Sequence, residues 1–112
     1  MKNNSNSYPI PALREDLRLR SCAVAGQLSR SVARLTSCDS LPCLEYGDEV
    51  RAEQELTRKL FYLQHCRDAL EKCIGGSRVT VRFRRADGTT GRTTFRKDGP
   101  NRVKVTGLHT SL

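Results

Sequence analysis

Six cations spaced for binding stand in the last third of the chain: Arg82, Arg84, Arg92, Arg96, Arg102 and Lys104. A guanidinium is planar, permanently charged and weakly hydrated, so it forms paired hydrogen bonds to phosphate or carboxylate oxygens. The chemistry offered is anion binding. Residues 77–112 carry nine Lys/Arg against Asp87 and Asp98, a net +7. Residues 1–76 carry eleven against ten carboxylates, a net +1. Charge gathered in this way makes a local positive field that draws polyanions.

Other chemistries find little support. Cys22, Cys38, Cys43, Cys66 and Cys73 are odd in number and include no CxxC, so neither a complete disulfide framework nor a zinc module is expected. Buried free thiols are the expectation. A disulfide between Cys38 and Cys43, or a zinc site using them with Cys66 or His65, are the alternatives. His65 and Cys66 are neighbours on a predicted helix, about 100° apart around it, and cannot easily serve one atom. No elbow nucleophile, phosphate-cradling glycine loop or helical zinc motif occurs. No catalytic residue, metal or cofactor is expected. Glu45, Asp48, Glu49, Glu53 and Glu55 read as a solvated helix start. The terminal Thr110-Ser111-Leu112 has the pattern of a PDZ ligand, which three residues match often by chance.

The cations are positioned by alternation. In Arg78–Thr106, Val79, Val81 and Phe83 point one way and Thr80, Arg82 and Arg84 the other. Thr93 and Phe95 oppose Arg92, Thr94 and Arg96; Val103 and Val105 oppose Arg102, Lys104 and Thr106. Period-two alternation predicts three strands of a sheet with one buried face. Asp87-Gly88 and Asp98-Gly99-Pro100-Asn101 supply the turns of an antiparallel meander. No aromatic residue falls on the arginine face, which disfavours base stacking of the RNA-recognition type.

Two helices precede the strands. Leu13, Leu17, Val24, Leu28, Val32 and Leu35 lie along one stripe from Ala12 to about Ser37, after Pro11 as a first-turn residue. Ser21, Ala25 and Ser29 either admit a close neighbour or are merely tolerated. Residues 38–47 break the helix. Asp48 is the expected N-cap of a second helix over about 49–74, with a seam of Leu56, Leu60, Leu63, Leu70 and Ile74, closed by Gly75-Gly76.

The expected fold is α+β: an N-terminal antiparallel helical hairpin packed on a C-terminal three-stranded antiparallel β-meander. Residues 1–10 read as a disordered arm, 11–76 as the hairpin, 77–107 as the basic meander and 108–112 as a tail, together one compact domain. A detached helical stalk for dimerisation is the competing layout. A hydrophobic share of 37% in so short a chain implies a modest core, so a homodimer is expected. No stretch has the roughly 18–20 apolar residues of a membrane span, nor does the N-terminus have the apolar core of a signal peptide, which argues for a cytoplasmic or nuclear chain, or one released without a cleaved signal, with the cytoplasm expected. The functional expectation is a small non-catalytic protein binding nucleic acid through the phosphate backbone. A protein-interaction module (adaptor, chaperone or inhibitor) docking an acidic partner, and an oligomer sequestering a small phosphorylated ligand, are the alternatives. An exposed sheet face that merely needs solvated residues would also use Arg and Thr.

Overall fold

Phe95, wholly buried, stands at the middle of a sheet whose inner face rests on two helices. The structure, a computed structural model, describes residues 5–37 and 43–108, with residues 43–45 described by their backbone alone. The elements are β1 (Ser5–Pro9), α1 (Ile10–Thr36), α2 (Cys43–Ile74), β2 (Val79–Arg84), β3 (Thr90–Lys97) and β4 (Arg102–Thr106). The predicted α+β architecture is present, with a helical hairpin on an antiparallel meander and a fourth strand added to the sheet. The order is β1-β4-β3-β2, so β3 and β4 are the interior strands.

The predicted register holds. Val81, Phe95, Val103 and Val105 are buried on the inner face together with Thr93. Val79 and Phe83 are only half-buried, because β2 is an edge strand with a neighbour on one side. Burial of a side chain such as Phe95 is worth roughly 1.5–3 kcal/mol. The first turn is held by Asp87, whose carboxylate accepts from the Thr89 amide at 2.9 Å and the Thr89 hydroxyl at 2.6 Å.

Strand β1 corrects the reading of residues 1–10 as a disordered arm; residues 1–4 lie outside the described residues. It pairs antiparallel with β4. Its outward residues, Ser5, Ser7 and Pro9, are exposed, and of its inward Asn6 and Tyr8 only Tyr8 packs on the core. Such a strand has no apolar alternation to find. Its pairing comes from a β4 backbone almost a hundred residues away, and Pro9 is tolerated at the end of an edge strand. Arg102 fastens it, donating through Nε to the Ser7 hydroxyl and through Nη2 to the Ser7 carbonyl, both at 2.9 Å. The turn before β4 fastens the start of α1: the Ile10 amide donates to Asn101 O at 2.9 Å.

The helices run antiparallel, as shown by ties at both ends. Arg14 donates twice to Glu71 near one end, and Arg34 donates to Glu49 near the other. Helix α2 begins at Cys43, six residues before the expected start, so Asp48 lies inside it and not at its N-cap. Gly47 costs a helix only about 1 kcal/mol, and no proline follows Pro42 to stop the helix running back. The expected seam is also incomplete. Leu63 and Leu70 are buried, but Leu56, Leu60 and Ile74 are half-buried, and a second stripe, Tyr62, Cys66, Ala69 and Cys73, is buried instead. The C-terminal half of α2 packs on two partners, α1 and the sheet, and therefore needs two apolar faces. In α1, Ile10, Leu13 and Leu17 enter the core, whereas Val32 is 43% exposed. Ser21 is buried, while Ala25 and Ser29 face solvent, so they form no closely packed stripe.

The hairpin reaches past the sheet, giving extents of 55 × 29 × 18 Å. In its far half, residues 22–37 and 46–61, Ser31 is the one buried residue. Its hydroxyl donates to Glu49 at 2.9 Å. The molecule thus combines the packed layout with part of the projecting one. At the other limit, Leu108 packs half-buried against the core, so the expected frayed tail does not begin there. The Thr110-Ser111-Leu112 pattern and Cys38 lie outside the described residues. No described helix is long and apolar enough to cross a membrane.

Gly91 is buried opposite Phe83, and a Cβ there would stand 2.3 Å from the ring. The Phe83 ring in turn meets Tyr62 edge-on, with centroids 4.8 Å apart. Gly91→Ala must displace this ring, and is expected to destabilise the fold by about 1–3 kcal/mol. The urea midpoint measures it; an unchanged midpoint would show that Phe83 is not seated on Gly91.

Candidate anion-binding face

All six predicted cations project from the outer side of the sheet, opposite the buried Val/Phe face. Alternation requires this once the inner residues are buried. Pairing across the strands then decides their neighbours. Arg82 stands directly opposite Arg92, and Arg96 directly opposite Lys104. Arg84 faces Thr90. Directly opposed like charges in a sheet are destabilising. No described carboxylate pairs with Arg82, Arg84, Arg92, Arg96 or Lys104. The acids of the helices are taken up locally, in ion pairs such as Glu15–Arg18, Asp16–Arg20, Asp48–Arg51 and Glu55–Arg58. Asp48 and Glu55 are solvated in this way, while Glu49 turns to α1 and the Glu45 side chain lies outside the described residues. Asp87 is held by Thr89, whose hydrogen bonds push its pKa below the ordinary value.

The six cations are not equivalent. Arg92, Arg96 and Lys104 line a concavity of about 630 Å³ on the outer face, together with Arg78, Ser5, Thr80, Thr94, Thr106 and Gly107. Arg82 and Arg84 lie beyond it toward the first turn. Arg102 is occupied in holding Ser7, so its first role is to fasten the edge strand. Arg78, outside the six, precedes β2 but continues the phase of Thr80, Arg82 and Arg84. Ser5 could not be found there, since nothing local marks β1 as part of the sheet.

The floor of the concavity is a line of hydroxyls. Ser5 is opposite Thr106, Thr106 opposite Thr94, and Thr94 opposite Thr80, so the line crosses all four strands. The Ser5 and Thr106 hydroxyls are 3.2 Å apart, and those of Thr80 and Thr94 3.3 Å. Lys104 and Arg96 flank the line on one side and Arg92 on the other, each two residues away on its own strand and roughly 6.6 Å along it. The arrangement can attract an anion and donate hydrogen bonds to it from below and from both sides.

The thiols stand apart from this face. Cys66 and Cys73 are buried and free, as expected, while Cys22 is free and exposed. The alternative of a zinc site joining the loop cysteines to Cys66 or His65 is overturned. Cys43 starts the helix that carries Cys66, so their backbones are about 34 Å apart. Cys38, five residues before Cys43, can span no more than about 18 Å of that. Among the described residues no group of three His, Cys, Asp or Glu is placed to hold a metal ion.

Compared with known proteins, the chain matches no protein family, no curated protein and no solved structure.

Burial pushes the Cys66 thiol up from an ordinary 9.0 to about 12, against a smaller opposing hydrogen bond with Tyr62; burial also raises Cys73. Native protein should therefore be modified rapidly at Cys22 and at Cys66 and Cys73 only on unfolding. A group with a raised folded pKa gives its full stabilisation below the unfolded value and loses it as pH rises toward the folded one. The urea midpoint should accordingly fall between about pH 9 and 12, and fall less in Cys66→Ala. Fast native labelling of Cys66 would contradict its burial.

Proposed function

We propose that this chain is a small, non-catalytic binding protein of the cytoplasm, acting as a homodimer, whose outer sheet face takes the phosphate backbone of nucleic acid. One observation carries the reading: the interior strands β3 and β4 hold Arg96 directly against Lys104, with no described carboxylate paired to either. An exposed sheet needs polar residues, but mixed charges would satisfy solvent without the cost of like charges face to face. Positive side chains that discourage edge pairing belong on edge strands, and these are central ones. A multivalent anion that binds across them would relieve the repulsion, and binding releases the counterions condensed on a nucleic acid. The aromatic side chains of the sheet face inward, so contact with phosphate, not base stacking, is the favoured mode.

A second reading has its own support. A concavity of about 630 Å³ is of the size that small ligands occupy, which favours a small phosphorylated molecule as the alternative occupant. Nothing comparable singles out an acidic protein, which enters as an outcome of the test.

Arg82→Ala, Arg96→Ala and Lys104→Ala should each weaken binding of a 20-base-pair DNA duplex, whatever its sequence. Each should also lower the slope of log affinity against log salt by about one. Arg14→Ala and Arg58→Ala, on the helices, should leave both unchanged. Unaltered duplex binding in the sheet variants, at unaltered melting temperature, would remove the nucleic-acid reading. Variants that instead lose polyglutamate, or a nucleotide co-purifying as excess 260 nm absorbance, would transfer the face to an acidic protein or to a small ligand. Light scattering of the native chain tests the dimer.

A further inference from the structure

We infer that the hydroxyls of Thr94 and Thr80, flanked by Arg92 and Arg96, form a seat for one tetrahedral phosphate group at the centre of the outer face. The inference deepens the proposed function and rests on its reading of this face as an anion surface. It adds where the anion is held and which chemical class of anion fits.

The sheet register brings the seat together. Thr94 is on β3, with Arg92 two residues before it and Arg96 two residues after it, all on the outer side. Thr80 reaches it from β2 at 3.3 Å between hydroxyl oxygens, and Thr106 is its partner on β4. The Thr80–Thr94 pair has two hydroxyl protons and its internal hydrogen bond uses one, so the other is free to point outward. The Ser5–Thr106 pair, at 3.2 Å, leaves a second in the same way. The line therefore presents one outward O–H donor between the two guanidiniums and a second beside it, next to Lys104, on the floor of a concavity that Thr80, Thr94, Thr106, Arg92 and Arg96 all line.

Donors that converge from below and from opposite sides suit an acceptor whose oxygens diverge. The oxygens of a phosphate point to the corners of a tetrahedron and can meet both guanidiniums and a hydroxyl at once. A carboxylate has two oxygens in one plane, and a single guanidinium fork satisfies them. Threonine is also a good strand residue, and Thr–Thr pairs stabilise sheets. That accounts for the Thr80–Thr94 pair taken by itself. It does not account for that pair lying between two guanidiniums, with a second hydroxyl pair beside it, on the floor of a concavity.

The test uses the full-length chain, ¹⁵N-labelled, titrated with inorganic phosphate and, at equal ionic strength, with acetate. Phosphate should shift the amide signals of residues 80, 92, 94 and 96 saturably, and acetate should not. Thr94→Val keeps the shape and branching but removes the hydroxyl. It should weaken phosphate binding about tenfold, with Thr94→Ser restoring it and the melting temperature of both unchanged. Thr80→Val serves as the second variant should Thr94→Val fold poorly. Because no cation is removed, the salt slope for duplex DNA should stay the same in Thr94→Val while its affinity drops, unlike Arg96→Ala, which lowers both. Equal shifts with acetate, or undiminished phosphate binding by Thr94→Val and Thr80→Val, would overturn the seat. Saturable phosphate binding at these residues without duplex binding would sink the nucleic-acid reading and leave the seat standing. Duplex binding that Arg96→Ala weakens and Thr94→Val does not would sink the seat and leave that reading. A nucleoside monophosphate run beside the duplex identifies the source of the phosphate, a free monoester or a backbone diester.

Discussion

Burial of one face of the sheet is the constraint on which the rest depends. Phe95 is paired with Val79 on one side and Val105 on the other, and with Thr93 and Val103 it is shut away from solvent against the helices. A slip of one residue in β2, β3 or β4 would put cations into that core and apolar residues into water. Every cation of the outer face therefore owes its direction to the inward-facing residue beside it. The cationic surface is as well defined as the core beneath it, though its own interactions oppose it.

One polar tie crosses this core. Tyr62 on α2 and Thr93 on β3 bring their hydroxyls to 2.6 Å, and Thr93 donates to the Gly107 carbonyl at 2.9 Å. A buried hydroxyl without a partner would cost about 1–3 kcal/mol, and here each is satisfied. The tie joins helix, sheet and the segment leaving β4, and gives a specific seat to an interface that is otherwise apolar. Tyr62 also meets Phe83, whose ring covers Gly91. The edge strand β2 thereby gains a fixed position despite having only one neighbour.

The division of charge between the layers has a physical consequence. In the helices six described acids pair with a base, three or four residues apart or across the hairpin, as Arg14 and Glu71 do. Exposed pairs of this kind add little stability, yet they cancel one another's field. Among the described residues the outer face of the sheet has no such cancellation, so their positive potential is concentrated there. Charge that is locally self-neutralising in one layer and uncompensated in the other gives the molecule a polarity that total charge does not convey.

Much of this was legible in the residues themselves. Alternation in Arg78–Thr106 determined which side chains face inward, because side chains on a pleated strand alternate whatever the partner. The turns at Asp87-Gly88 and Asp98-Gly99 were equally local. So was the existence of two helices. What depends on partners distant in the chain was not legible. Strand β1 has no pattern of its own and exists because β4 offers it a backbone edge. The second buried stripe of α2 exists because that half of the helix touches two layers. The hydroxyl line is the clearest case. Thr80, Thr94 and Thr106 could each be assigned to the outer face from sequence, but a line of four hydroxyls, Ser5 included, requires the register of three strand pairings at once. Periodicity settles the face on which a side chain lies, whereas only tertiary pairing settles what lies beside it.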